Sequence, residues 1–344
     1  MRISGGGNHE HSSPEQCPAN PVWHVDSVFQ SLFHSRRTPT AILRQVPPMC
    51  CRFGMGLPRR CRGTRGQVER GSAMNPLEGE LSDRDIQILN NLERFRLLTT
   101  RQIQRLFFAP IPYGTHTSQS AATRSTTRVL NRLESQGYIA RLERRIGGVN
   151  HGSALITWQL AAAGDSYLRQ LYGAASRRRF QEPGLAFMRH TLAVAEVGVA
   201  LEEADAEGRL ELLKLELEPA CWRTFQVGAS SLTLKPDLAV VTADSTTETH
   251  SFVEVDLCTE HRPVLQRKCQ VYQRYHQTGD EQEATGLFPA VVWIAHTPAR
   301  ARTIRDAIRS DSTLDHTLFW VCTTETMLNQ LAPYNSEPIP NRKE

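Results

Sequence analysis

Three apolar stretches at helical spacing, two proline breaks and a glycine stop confine residues 83–160 to few folds. Behind the cap Leu81-Ser82-Asp83, residues Ile86, Leu89 and Leu92 mark one face of a first helix. Thr99 or Thr100 caps a second, short helix with Ile103, Leu106 and Phe107 on one side, and it must end before Pro110 and Pro112. A third helix is predicted over Thr123–Gln136. It places Val129, Leu130 and Leu133 on one side and Arg124, Arg128 and Arg132 in a stripe on the other, because fourfold spacing keeps side chains on one face.

Gly137 stops that helix, and residues 138–142 and 154–160 then read as two strands joined by a turn carrying Arg144 and Arg145. Residues 162–171 follow as a closing helix. Three helices and a basic-tipped hairpin predict a winged helix-turn-helix domain over residues 81–175, with Arg124, Arg128, Arg132, Arg144 and Arg145 facing duplex DNA. The plainer reading is a charged face that merely meets water. The order of helices, glycine stop and hairpin favours DNA.

Charge is distributed unevenly enough to support that choice. Residues 1–75 hold ten Arg against four acids and residues 83–150 eleven against five, whereas residues 151–344 hold nineteen Lys and Arg against twenty-five acids. DNA affinity is therefore expected in the N-terminal half. Residues 1–75 mix Gly, Pro, Ser and Arg with short apolar pieces and are expected to be a disordered basic tail. Two origins are open for it: an over-extended reading frame with Met74 as the natural start, or a basic arm that adds nonspecific DNA affinity. The eight cysteines form no C-x-x-C pair, and neither a secretory leader nor an apolar run of membrane-spanning length is evident. The expected setting is the cytoplasm, with no membrane partner.

A second domain is predicted over residues 184–325, with a flexible tail at 326–344. Its pattern is a long helix at 187–207, strands near 210–218, 234–241 and 251–257, a helix at 263–278, a strand at 290–296, a helix at 298–309 and a strand at 318–322. That order implies a mixed sheet with helices on both faces, so the chain as a whole is of the α/β (α+β) class. Alternation along the third strand puts Glu254 and Asp256 on one face and Val253, Val255 and Leu257 on the other. Asp237, at the start of the preceding strand, is placed to join them. Three carboxylates on neighbouring strands could share a Mg²⁺ ion, which commonly takes one or two carboxylates together with water and phosphate oxygens. Carboxylates at strand ends also simply face solvent or pair with a lysine such as Lys268. No glycine-rich phosphate loop of the nucleotide-hydrolysing kind is present.

The element order, with Pro236-Asp237 and Glu254-Val255-Asp256, resembles the PD-(D/E)XK nuclease superfamily, whose fold is that of restriction endonucleases. Residues 81 to about 325, including Arg189-His190-Thr191-Leu192-Ala193-Val194 and Phe252-Val253-Glu254-Val255-Asp256, resemble the replication-relaxation family of plasmid and mobile-element proteins. The resemblance implies that Asp237 and Glu254 bind metal, and the strand geometry adds Asp256 as a third candidate ligand. The resemblance also implies a catalytic lysine two residues after the glutamate, but Asp256 stands there. Lys268 on the following helix is the candidate replacement, since Leu265, Lys268, Tyr272 and Tyr275 share a helical face. Glu196 is a weaker candidate for an additional acid, and His190 is more readily a capping or packing residue than a catalytic one.

Two functional readings remain open at this stage. One is a DNA-binding protein of a plasmid or mobile element, acting in replication or DNA relaxation with a Mg²⁺-dependent endonuclease domain. The other is a transcription or replication regulator whose second domain is catalytically inactive and serves partner binding or homodimerisation. Double-stranded DNA and relaxosome or replication proteins are the expected partners.

Overall fold

The structure, a computed structural model, describes residues 81–142, 156–173, 183–258 and 260–332. The tail expected at 1–75 and the turn carrying Arg144 and Arg145 lie outside the described residues.

Helix α1 (Asp83–Phe95) starts at a reciprocal cap, in which the Ser82 hydroxyl accepts from the Asp85 N–H and Asp85 accepts from the Ser82 N–H. Strand β1 (Leu97–Thr99) leads directly into α2 (Thr100–Phe107), which Thr99 and Gln102 cap in the same reciprocal way. Helix α3 (Gln119–Ser135) begins four residues before its expected start, because Ser118 supplies a capping hydroxyl to the Ala121 N–H. Strands β2 (Ile139–Arg141) and β3 (Thr157–Leu160) pair antiparallel, and β1 adds on the far side of β3 to give the order β1-β3-β2. Helix α4 (Ala162–Tyr172) closes this part.

The long helix α5 (Leu185–Ala206) opens the second part and is followed by β4 (Glu211–Leu217). A hairpin of β5 (Arg223–Val227) and β6 (Ser230–Leu234), which the sequence pattern does not reveal, precedes β7 (Leu238–Ala243) and β8 (Glu248–Asp256). Then come α6 (Arg262–Thr278), the short α7 (Asp280–Thr285), β9 (Ala290–Ala295), α8 (Pro298–Arg309), β10 (Phe319–Thr323) and α9 (Met327–Leu331). The main sheet runs β10-β9-β8-β7-β4, parallel through β10, β9 and β8 and antiparallel through β7 and β4. This is the expected mixed sheet of an α/β fold. Residues 326–332 depart from the expected tail: Met327 and Leu331 are buried, and the Leu331 carbonyl accepts from the Thr242 hydroxyl.

Period-two alternation divides the sheet's side chains between two cores. Val253, Val255, Val292 and Ile294 face α5, whereas Phe252, Val291, Trp293 and Ala295 face α6 and α8. The first core continues without interruption into Leu89, Leu92, Phe95 and Trp158 of the N-terminal part. Gly198 makes the join close, since a Cβ built there would lie 2.6 Å from the Phe95 ring. Ion pairs reinforce it: Arg105 is gripped by Glu196 and Glu203, and Arg94 meets Glu202 at 2.5 Å. Glu196 is thereby accounted for as a docking residue on α5.

Candidate functional site

Antiparallel pairing of β7 with β8 sets Leu238 opposite Val253, so Asp237 and Glu254 come next to each other on the face that α6 covers. Both are almost wholly buried. Asp237 Oδ2 accepts from the Val255 N–H at 2.7 Å, which ties it to the neighbouring strand, and Oδ1 lies 2.9 Å from His190 Nε2 on α5. Glu254 Oε1 accepts from the Tyr272 hydroxyl at 2.7 Å, and Oε2 accepts from Lys268 Nζ at 3.0 Å. Leu265, Cys269, Tyr272 and Tyr275 form the buried face of α6, with half-exposed Lys268 at its edge. That orientation lets Lys268 reach Glu254 and, at 2.7 Å, Glu260.

Burial, followed by the neighbouring charge of Asp237, pushes the Glu254 carboxyl up to about 7. Burial alone would discourage the Lys268 charge, but Glu254 and Glu260 beside it raise its pKa overall. The hydrogen bond to Asp237 raises His190 against the opposing effect of burial. Glu254 is thus the carboxyl whose ionisation the site opposes, with the Lys268 ammonium on one side of the pair and the His190 imidazole on the other.

Asp256 does not complete a three-carboxylate set. It shares the Glu254 face, but Arg300 on α8 closes on it with Nε at 2.6 Å and Nη2 at 2.9 Å, and the Cys258 N–H takes Oδ2 at 2.9 Å. Bidentate pairing satisfies a buried carboxylate in the geometry guanidinium suits best, leaving Asp256 little capacity for a metal. Among the described residues no three His, Cys, Asp or Glu side chains converge so as to hold a metal ion. What remains is a pair, Asp237 and Glu254: hard oxygen donors, desolvated and mutually repelling, which fit a divalent cation that takes its other ligands from water or phosphate.

Sequence reasoning missed Arg300 and Glu260 and set His190 aside. Arg300 had a faint signal, because it follows Pro298 in the first turn of a helix that starts just beyond β9, beside the C-terminal end of β8. His190 had only its place in the stretch that carries the family resemblance, since it is the packing of α5 across the sheet that brings it to Asp237.

The arginines of the N-terminal part separate into two groups. Arg132 meets the buried Asp85 at 2.5 Å, and Arg141 meets Glu134 at 3.0 Å. Arg124 and Arg128, one turn apart on α3, are exposed and have no partner among the described residues. Exposed Thr127 and Asn131 flank them. No helix among the described residues is long and apolar enough to cross a membrane.

No curated protein and no solved structure matches the chain. A family model described as replication-relaxation matches residues 89–291, from α1 into β9, and so takes in both α3 and the Asp237–Glu254 pair. With more than half of its length matched, the chain belongs to the replication-relaxation family.

Proposed function

We propose that the protein binds duplex DNA through α3, as a winged helix does, in the replication or relaxation of a plasmid or mobile element. The observation that carries this reading is the contrast among arginines. Ion pairs engage Arg94, Arg105, Arg132 and Arg141, while exposed Arg124 and Arg128 share one stripe of α3 and, like Arg101 on α2, have no partner among the described residues. An unpaired cationic stripe flanked by short polar side chains suits phosphate and base-edge contacts. Arg132 is then a scaffold for α3 rather than a DNA-binding residue. Measuring duplex affinity of wild type and the Arg124→Ala/Arg128→Ala variant tests this, and equal affinities would refute it.

A second activity, cation-dependent phosphodiester cleavage, is favoured by Lys268 standing at Glu254 from α6 while Asp256 is withdrawn into its pair with Arg300. Asp237 and Glu254 would hold Mg²⁺, which supplies charge neutralisation at the phosphate when bound. Lys268 would offer a positive group at the same edge of the site, and His190 would hold Asp237 in place. Incubating supercoiled DNA with the full chain and Mg²⁺ or Mn²⁺ tests this activity. Nicking that Glu254→Gln abolishes supports it, and nicking that survives Glu254→Gln removes the assignment. An inactive cluster with intact duplex binding would favour the regulator reading, in which this part of the chain binds relaxosome or replication proteins or a second copy.

A further inference from the structure

Arg96 occupies the first position after α1 with φ 66° and ψ −46°, a backbone conformation that a side chain strains and glycine tolerates. Apart from Cys258, it is the only non-glycine residue with positive φ among the described residues. Strain of this kind persists where the surroundings hold it, and its concentration at working sites makes the location of Arg96 informative. The side chain does not explain the strain by a strong bond. Its guanidinium approaches the Glu218 carbonyl at 3.4 Å and the Glu218 carboxylate at 3.7 Å, both long, and the side chain keeps 38% of its surface exposed.

Arg96 stands where two cavities meet. One is a groove of about 690 Å³ between α1, β1, β3 and β4, lined by Asn90, Gln159, Pro183 and Phe187 among others. The other is a small recess that shares Arg94, Arg96, Phe187 and Glu218 with the groove and ends on His190 and Asp237. The groove's size is that of a site for a small ligand or a nucleotide or two. Phe187, on the first turn of α5, lines both cavities and is 45% exposed, so its ring is open to a ligand lying in the groove. Arg94 is committed to Glu202 and to the Leu215 carbonyl, and Glu216 is matched by Lys214 and Arg223. Loosely held Arg96 is thus the cation at the junction free to change partners.

We propose that this groove holds a single strand of DNA, with a base stacked on Phe187 and a backbone phosphate on Arg96, leading the strand to the His190–Asp237 end of the acidic cluster. An exposed ring beside a loosely held guanidinium is the pairing that binds single strands without reading sequence. This inference rests on the reading of the chain as a DNA-binding protein and adds a second, separate nucleic-acid site to it.

The test uses the full chain, a short fluorescein-labelled oligothymidylate and a labelled duplex, with Tm measured in parallel. Arg96→Gly and Phe187→Ala should each weaken binding of the single strand about tenfold and leave duplex binding unchanged. Arg96→Gly should also melt no lower than wild type, because glycine relieves the strained φ. Wild type that binds duplex but no single strand overturns the groove and spares the duplex reading, whereas wild type that binds neither overturns both. Single-strand affinity unchanged in Arg96→Gly overturns the inference. Should Arg96→Gly melt early, Phe187→Ala decides: weakened single-strand binding upholds the groove and wild-type binding overturns it.

Discussion

Lys268 Nζ lies 3.0 Å from Glu254 Oε2, reaching across from α6 to a strand on which the residue two beyond the glutamate is the acidic Asp256. A lysine at position 256 would have met Arg300, whereas Asp256 pairs with it. The positive charge at Glu254 is thus supplied from the helix. Removing it should cost more the further Glu254 is ionised, on top of the loss of its pair with Glu260. Lys268→Met is expected to lower stability by about 1–3 kcal/mol at pH 8, a figure reduced for the partial exposure of Lys268, and by less at pH 5, where the pair with Glu260 is what it still removes. Thermal melts of the variant and wild type at the two pH values check this, and an equal loss at both would contradict it.

The raised pKa of Glu254 makes stability pH-dependent in a definite direction. A carboxyl that titrates near 7 when folded and near its ordinary value of 4.5 when unfolded binds its proton more tightly in the folded state. Its contribution is therefore full below about 4.5 and lost as pH rises through about 7. His190, also raised, acts in the same sense above its ordinary value of 6.5. Stability should fall between pH 5 and pH 8 by an amount on the order of 3 kcal/mol from Glu254, and Glu254→Gln should flatten that fall. Mg²⁺ should raise Tm more at pH 8 than at pH 5, because it binds the ionised pair. A Tm indifferent to Mg²⁺ at both pH values would count against a cation site.

Gly198 sets the distance between α5 and α1. Gly198→Ala would press a methyl group into the Phe95 ring at the seam of the shared core, and is expected to destabilise by about 1–3 kcal/mol. Urea unfolding of the full chain measures it, and a variant as stable as wild type would show that the seam can open without cost.

Arg132 and Arg128 share a stripe but should behave differently. Arg132→Ala leaves the buried Asp85 without its cation, and a loss of about 1–2 kcal/mol is expected. Arg128→Ala, at an exposed arginine with no partner among the described residues, should stay within about 0.5 kcal/mol of wild type. Equal melting of the two variants would contradict the division between a scaffold arginine and a DNA-binding one.

Local patterns made the helices and the main strands legible, because caps such as Ser82 and Thr99, the glycine stop at Gly137 and the alternation from Phe252 to Asp256 act within a few residues. The same alternation foretold that Glu254 and Asp256 share a face. It could not foretell that Arg300, forty-four residues on, would take Asp256 out of the cluster, since that pairing depends on where α8 begins in space. The hairpin β5–β6 was hidden by its polar, half-exposed strands, whose buried positions are few. His190 and Arg96 were illegible for a related reason: both meet their partners only through the docking of α5 and α1 on the sheet, which no periodicity encodes.

The salt dependence of duplex binding tests the central claim most directly. Each phosphate that the protein ceases to neutralise should lower the slope of log affinity against log salt concentration by about 0.9. If Arg124 and Arg128 each hold a phosphate, Arg124→Ala/Arg128→Ala in the full chain should therefore show a slope smaller than that of wild type by about two, with Tm unchanged. A double variant with the wild-type affinity and slope would contradict the account.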